Sequence, residues 1–176
     1  RAKDWELKRE VALKQIRDSP ADDPDSQARF VIVAEITGAL EHPGIVPVYA
    51  LGTHSDGRPY YAMRFIRGDS LHREIEKFYK DQARNWSEVT LERGYQANRP
   101  PLDVDPDIYL SREFRGLLSS FVTVCNASAY GHERGVLHRD LKPANIMLGK
   151  YGETLVVDWG LAKVFDPTAE PGSQPP

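Results

Sequence analysis

The chain carries the run H-R-D-L-K-P-A-N at His138 to Asn145, followed after a short interval by D-W-G at Asp158 to Gly160. No other feature narrows so far what the chain can fold into and do. The set contains two aspartates, a lysine and an asparagine in a fixed order. Transfer of a phosphoryl group depends on positioning and charge neutralisation more than on covalent help from the protein. Asp140 suits a group that orients a hydroxyl and accepts its proton. Lys142, two residues on, can face the transferring phosphate. Mg2+ prefers hard oxygen ligands and keeps several waters, and Asn145 and Asp158 offer it an amide oxygen and a carboxylate. Singly, the bland readings are a solvated charged loop for the first run and a strand-end turn for the second. The two together, in this order, weigh against both.

These motifs resemble the signatures of protein kinases of the Ser/Thr type, with Trp159 where the family has Phe. The resemblance covers most of the chain. V-A-L-K at Val11 to Lys14 is similar to the family's V-A-I-K strand, L-E-H-P-G-I-V-P-V at Leu40 to Val48 to the turn and strand after its regulatory helix, and Y-Y-A-M-R-F-I-R-G at Tyr60 to Gly68 to the strand entering the interlobe hinge. It implies that Lys14 holds the α- and β-phosphates and that Ala12 roofs the adenine. Met63 would be the gatekeeper, the backbone of Arg64 and Ile66 would meet the adenine edge, and Leu148 of N-I-M-L would lie beneath it. D-W-G-L-A-K and A-E-I-T-G-A-L-E-H-P-G-I-V-P-V-Y look most like bacterial kinases of the planctomycete type.

The implied fold is α+β, two-lobed and incomplete. A partial β-rich N-lobe with hinge would occupy 1–66 and a partial helical C-lobe 67–165, with an insertion loop over 81–107. Residues 166–176, rich in Pro, Gly and Ser, would be a disordered, truncated activation segment. The implied activity is transfer of the ATP γ-phosphate to a protein Ser/Thr hydroxyl, with ATP and Mg2+ as cofactors. The alternative is a truncated relative that binds a nucleotide or partner without catalysis. A small-molecule kinase of related fold is a weaker third option.

Three departures from the family pattern bear on that choice. No G-x-G-x-x-G precedes Val11, so the loop whose N–H groups cover the phosphates is absent. The chain stops soon after D-W-G-L-A-K-V-F-D-P-T, with no A-P-E. Relatives read E-A-E-I-T where this chain reads V-A-E-I-T, so Val33 stands where their lysine-pairing glutamate stands. Glu35, two residues on, lies about 200° further around a helix and is expected to point away from Lys14. A valine there also has a plain packing reading.

Composition sets limits. At 176 residues and 40% apolar content the chain can build a core of ordinary domain size, though a complete kinase domain needs more, and a chain beginning at Arg1 reads as a fragment. A net charge of −3 gives no overall basic footprint for nucleic acid. One cysteine, Cys125, excludes an internal disulfide framework and fits a reducing, cytoplasmic setting. No apolar run suits a signal peptide or membrane span, although an anchor elsewhere in a parent chain is compatible with this.

Periodicity and breakers give the coarse elements. Glu6 to Ile16 reads as a hairpin return and strand, and Asp18 to Asp25 as a loop broken by Pro20 and Pro24. Ser26 is expected to cap a helix running to Leu40, buried along Phe30, Val33, Ala34 and Leu40. Gly44 to Gly52 and Pro59 to Ile66 read as an antiparallel pair turning at Ser55 to Gly57. Asp69 or Ser70 would cap a short helix to Tyr79. Ser111 to Glu133 reads as a long helix whose stripe of Phe114, Leu117, Leu118, Phe121, Val122 and Cys125 is core. Ile146 to Leu148 and Leu155 to Val157 read as strands that bring Asn145 and Asp158 near each other. The segment 81–107 reads as a surface loop, with a docking surface around Trp86 and Tyr95 as the alternative. His138 is expected to brace the loop. Arg139 resembles the arginine that grips an activation-loop phosphate, for which Thr168 and Ser173 are candidate carriers. The other histidines show no metal-ligand spacing.

Overall fold

Residues 1–16, 23–81 and 111–165 are described in the computed structural model. The first half is a four-stranded antiparallel sheet in the order β1-β2-β4-β3, formed by β1 (Ala2–Asp4), β2 (Arg9–Gln15), β3 (Val48–Thr53) and β4 (Pro59–Arg64). Within β2, Val11 is buried while Leu13, two residues on and on the same face, is exposed. The β3–β4 turn closes through Gly57 N–H donating to the His54 carbonyl at 3.0 Å, and Asp56 accepts from the Arg58 amide at 3.1 Å.

Helix α1 (Pro24–Gly38) packs on this sheet with Val33, Ala34 and Thr37 buried. Its start corrects the sequence expectation. Asp23, not Ser26, is the N-cap, and its carboxylate accepts from both the backbone N and Oγ of Ser26. Pro24 therefore begins the helix instead of breaking the chain before it. A proline has no N–H to leave unpaired at the first helical position, and its fixed φ suits the helix.

The second half starts at β5 (Gly68–Ser70), followed by α2 over 71–81. Ser70 Oγ accepts from the Arg73 amide at 3.4 Å at the start of α2. Then come α3 (Arg112–Glu133), β6 (Val136–Leu137), a 3-10 turn at Pro143–Asn145, β7 (Ile146–Gly149), β8 (Thr154–Val156) and β9 (Lys163–Val164). Strands β5, β7 and β8 form one sheet in that order, and β6 pairs with β9. Gly68 is required where β5 meets β7, because a Cβ there would overlap the Leu148 carbonyl. Among the described residues no helix is long and apolar enough to cross a membrane. Of the segment 81–107 only Asp81, at the end of α2, is described. The docking alternative at Trp86 and Tyr95, and Thr168 and Ser173, fall outside the described residues.

α3 turns inward a face the sequence reading did not choose. Its buried residues are Ser120, Val124, Ala127 and Gly131. Leu118, Phe121, Val122 and Cys125 are exposed, contrary to expectation, while of the expected stripe Phe114 is half-buried and Leu117 packs against the core. The physical reason is close approach. Small side chains let α3 lie against β8 and Trp159: Thr154 Oγ1 donates to Ser120 Oγ at 3.3 Å, and a Cβ on Gly131 would come within 3.4 Å of the indole. The larger apolar residues border a groove against α2, where Phe78 and Phe114 stand 6.2 Å apart.

The core joins the halves. Leu40 and Ile45, from the segment after α1, cluster with Leu71, Val124, Ala127, Val136, Ile146, Val156 and Trp159. Main-chain bonds reinforce the join: Val46 N–H donates to the Val156 carbonyl at 3.1 Å, and Val156 N–H to the Gly44 carbonyl at 2.8 Å.

Candidate active site

Loop geometry brings the motif residues of the second half together. Pro143 to Asn145 form the 3-10 turn, and Asn145 Nδ2 reaches back to the Asp140 carbonyl at 2.9 Å and to Asp140 Oδ2 at 3.0 Å. Lys142 Nζ donates to the same carboxylate oxygen at 2.7 Å. The lysine contact, helped by the asparagine amide and opposed by partial desolvation, holds the Asp140 carboxyl below the usual carboxylate range. Asp140 is therefore ionised at neutral pH, better fitted to orient a hydroxyl than to strip its proton early.

Asp158 reaches this group through backbone pairing. Val157 N–H donates to the Asn145 carbonyl at 2.9 Å, which fixes the residue just before Asp158. Asp158 itself has φ of 61°, in the left-handed region that few non-glycine residues adopt. Past it, Trp159 enters the core, only 2% exposed, with its ring 4.6 Å from that of His138. Among the described residues its buried Nε1 has no hydrogen-bond partner, a cost of about 1–3 kcal/mol that a phenyl ring would not carry.

His138 braces the loop as expected. Its Nδ1 accepts from the Asp140 amide at 3.2 Å and its Nε2 meets the Val157 carbonyl at 3.0 Å. An Nδ1 that accepts leaves the proton on Nε2, so the ring is neutral. Burial, only partly offset by the Val157 carbonyl and nearby carboxylates, pushes its pKa below the ordinary histidine value. Arg139, between His138 and Asp140, also has positive φ, 66°.

From the first half, β2 aims Lys14 into the same place. Lys14 Nζ forms an ion pair and hydrogen bond with Asp158 Oδ1, across most of the sequence. Burial works against the ammonium charge, but the Asp158 and Tyr61 contacts win and raise its pKa. Partial desolvation likewise works against the Asp158 carboxylate, and Lys14 brings its pKa below the usual range. Val33 of α1 is buried at 6% exposure, and Glu35 is exposed.

The residues expected around an adenine lie on neighbouring strands. Ala12 is directly opposite Met63 across the β2–β4 pair. Arg64 ends β4, donates its amide to the Pro47 carbonyl at 3.1 Å, and pairs its guanidinium with Glu153 at 2.7 Å. Ile66 follows in the connection to β5, and Leu148 sits on β7 opposite Asp69. Sequence reasoning missed two of these contacts. Glu153 gave no motif signal. Tyr61 did give one, since its spacing from Met63 puts both on one strand face, the face that Lys14 shares.

The donor set fits Mg2+. Asn145 and Asp158 supply two hard oxygens, and Mg2+ ordinarily keeps waters for the rest of its shell. Among the described residues no cluster of three or more His, Cys, Asp or Glu side chains is gathered for a metal. A half-exposed ammonium at Lys14 fits a polyphosphate.

Residues 111–174 match the family described as the protein kinase domain. The chain is 40% identical over 162 residues to the serine/threonine-protein kinase PknD of Protochlamydia amoebophila, 92% of this chain and 14% of that protein. It is 38% identical over 162 residues to PknD of Chlamydia muridarum, 92% of this chain and 15% of that protein. For PknD of Chlamydia pneumoniae the identity is 35% over 154 residues, 88% of this chain and 14% of that protein. The chain thus spans about one seventh of the length of these relatives. With a β-sheet half bearing the lysine and a second half bearing the H-R-D-L-K-P-A-N loop, the chain is similar to serine/threonine-protein kinases along nine-tenths of its length, and its residues 111–174 match the protein kinase domain.

Proposed function

We propose that this chain supplies the central part of a serine/threonine protein kinase, which transfers the ATP γ-phosphate to a protein hydroxyl. The observation that carries the reading is the meeting of Lys14 with Asp158, beside the joined Asp140, Lys142 and Asn145. The hinge lies at the end of residues 1–66, and residues 67–165 carry the reacting groups. Ala12, Met63, Leu148 and the backbone of Arg64 and Ile66 hold the adenine. Lys14 takes the α- and β-phosphates, leaving its pair with Asp158 to do so. Asn145 and Asp158 hold Mg2+, which supplies charge neutralisation across the phosphates when bound.

Asp140 receives the substrate hydroxyl as a hydrogen-bond donor and turns its oxygen toward the γ-phosphorus. The new oxygen–phosphorus bond forms as the bond to the ADP oxygen breaks. ADP leaves with that electron pair, and Asp140 takes the hydroxyl proton. Lys142 faces the transferring group and balances its charge. A neutral His138 keeps the loop in register and takes no proton. A reducing, cytoplasmic setting suits this activity.

Calorimetric titration with ATP, with and without Mg2+, tests the reading, followed by a transfer assay on the wild type and Asp140→Asn. Saturable Mg2+-dependent binding is expected, with transfer reduced at least a hundredfold in Asp140→Asn. Absence of binding would sink the reading. Binding without transfer by the wild type would leave a nucleotide-binding module in its place.

A further inference from the structure

Lys14 has neighbours on two sides. Toward the second half it meets Asp158, and toward its own sheet it meets Tyr61. The β2–β4 register sets Tyr61 directly opposite Lys14, so both side chains leave the same face of adjoining strands. Lys14 Nζ stands 6.0 Å from the Tyr61 ring centroid, at the outer reach of cation–π attraction. Tyr61 is 2% exposed, and Phe30 of α1 packs on it with ring centroids 5.1 Å apart. The tyrosine thus occupies the space between Lys14 and α1. From α1 itself, Val33 points inward and Glu35 is exposed, and the ion pair on Lys14 comes from Asp158.

A phosphate ligand needs a hold on the lysine that survives when Asp158 turns to a cation. A long, flexible side chain otherwise gives up rotamer entropy each time it binds. Tyr61 offers a ring face and a phenolic oxygen from a strand hydrogen-bonded to that of the lysine. It moves with the sheet, and Phe30 wedges it in place. We propose that Tyr61 is a positioning residue for Lys14, doing from the adjacent strand what a carboxylate on α1 would do. The proposal rests on the reading of Lys14 as a phosphate ligand. Tyr61 itself touches no substrate, and its action runs through the lysine.

The test compares the wild type, Tyr61→Phe, and Tyr61→Phe combined with Val33→Glu. Tyr61→Phe keeps the ring packed on Phe30 and removes only the hydroxyl. Two readouts are taken on the purified chain: the dissociation constant for ATP with Mg2+, and the side-chain 15N–1H signal of the Lys14 ammonium. The latter is assigned by its loss in Lys14→Arg and needs no nucleotide. Tyr61→Phe is expected to weaken ATP binding about three- to tenfold, the net worth of one hydrogen bond of ordinary strength, and to broaden the Lys14 signal. Val33→Glu in that background restores both. Val33→Gln serves as the uncharged alternative if the buried carboxylate unfolds α1.

Wild-type values for both readouts in Tyr61→Phe would overturn the proposal. So would a loss that neither substitution at Val33 reverses, since the hydroxyl would then serve something other than holding Lys14. If the wild type binds no ATP, the nucleotide reading fails, and the Lys14 signal decides the role of Tyr61 without it.

Discussion

Asp158 concentrates several demands in one residue. It takes a left-handed backbone, sends Trp159 into the core, and presents its carboxylate to Lys14. That pair is half exposed, so it contributes little to stability, and opening it for a phosphate and a cation costs little. Asp158→Ala is therefore expected to fold and to lose the Mg2+-dependent part of ATP binding in calorimetry; unchanged binding would strike Asp158 from the metal site. His138 gives a second prediction, with its sign set by burial. Its folded-state pKa is depressed, whereas an unfolded histidine titrates near about 6.5. The stability it provides is full above about pH 6.5 and is lost as pH falls toward the depressed folded value. The carboxyls of Asp140 and Asp158, held below the usual range, stay ionised through that window and add no slope. Urea midpoints at pH 7.5 and 5.5 should thus differ more for the wild type than for His138→Gln, and equal differences would refute the neutral brace. The sequence showed Asp140, Lys142, Asn145 and Asp158 as a set because each does chemistry its residue type announces. Glu153 was hidden because its role comes from the meeting of the two halves, and Tyr61, although its strand face was readable, because only the register of β2 with β4 sets it opposite Lys14.

Helices and strands show where sequence patterning fails. Strands β3 and β4 and the turn between them were readable from alternation and the Ser-Asp-Gly punctuation, and β7 and β8 from two apolar runs around glycines. Two helix features were not. The α1 start depends on whether a carboxylate three residues before Ser26 reaches its amide, and Pro24 looks like a breaker until that cap is seen. The α3 face depends on what the helix packs against. Periodicity favours the large apolar stripe, but the surface offered by Gly44, β8 and Trp159 draws in the face of Ser120, Val124, Ala127 and Gly131. The same closeness between elements supports a prediction at Gly68. A methyl group there must displace the Leu148 carbonyl from the β5–β7 ladder. Gly68→Ala should lower stability by about 1–3 kcal/mol, read as a shift in denaturant midpoint. A neutral substitution would mean β5 does not pair with β7 as described.

For the whole molecule, the question is what keeps the sheet half and the helical half together while the site between them opens. Two kinds of contact cross over. Lys14–Asp158 and Arg64–Glu153 are charged pairs with partly exposed side chains, of a class whose net contribution is about 0–1 kcal/mol. The other kind is buried. Leu40 and Ile45 from the first half pack with Val156 and Trp159, and the segment from Gly44 to Val46 bonds through its main chain to Val156. Magnitudes favour the second kind as the fastening, which leaves the charged pairs free to exchange partners without loosening the fold. Ile45, 2% exposed, separates the two possibilities. Ile45→Ala should cost about 2–5 kcal/mol, the range for truncating a buried aliphatic side chain, and the loss should fall on both halves at once. Helical ellipticity and the fluorescence of the buried Trp159, isolated by replacing the other tryptophans, should then fall together at one lowered midpoint. Added salt, which weakens exposed ion pairs, should move that midpoint far less than the substitution does. Two separate midpoints, or a salt effect as large as that of Ile45→Ala, would mean that the charged pairs hold the halves together. Opening Lys14–Asp158 for a nucleotide would then loosen the whole molecule.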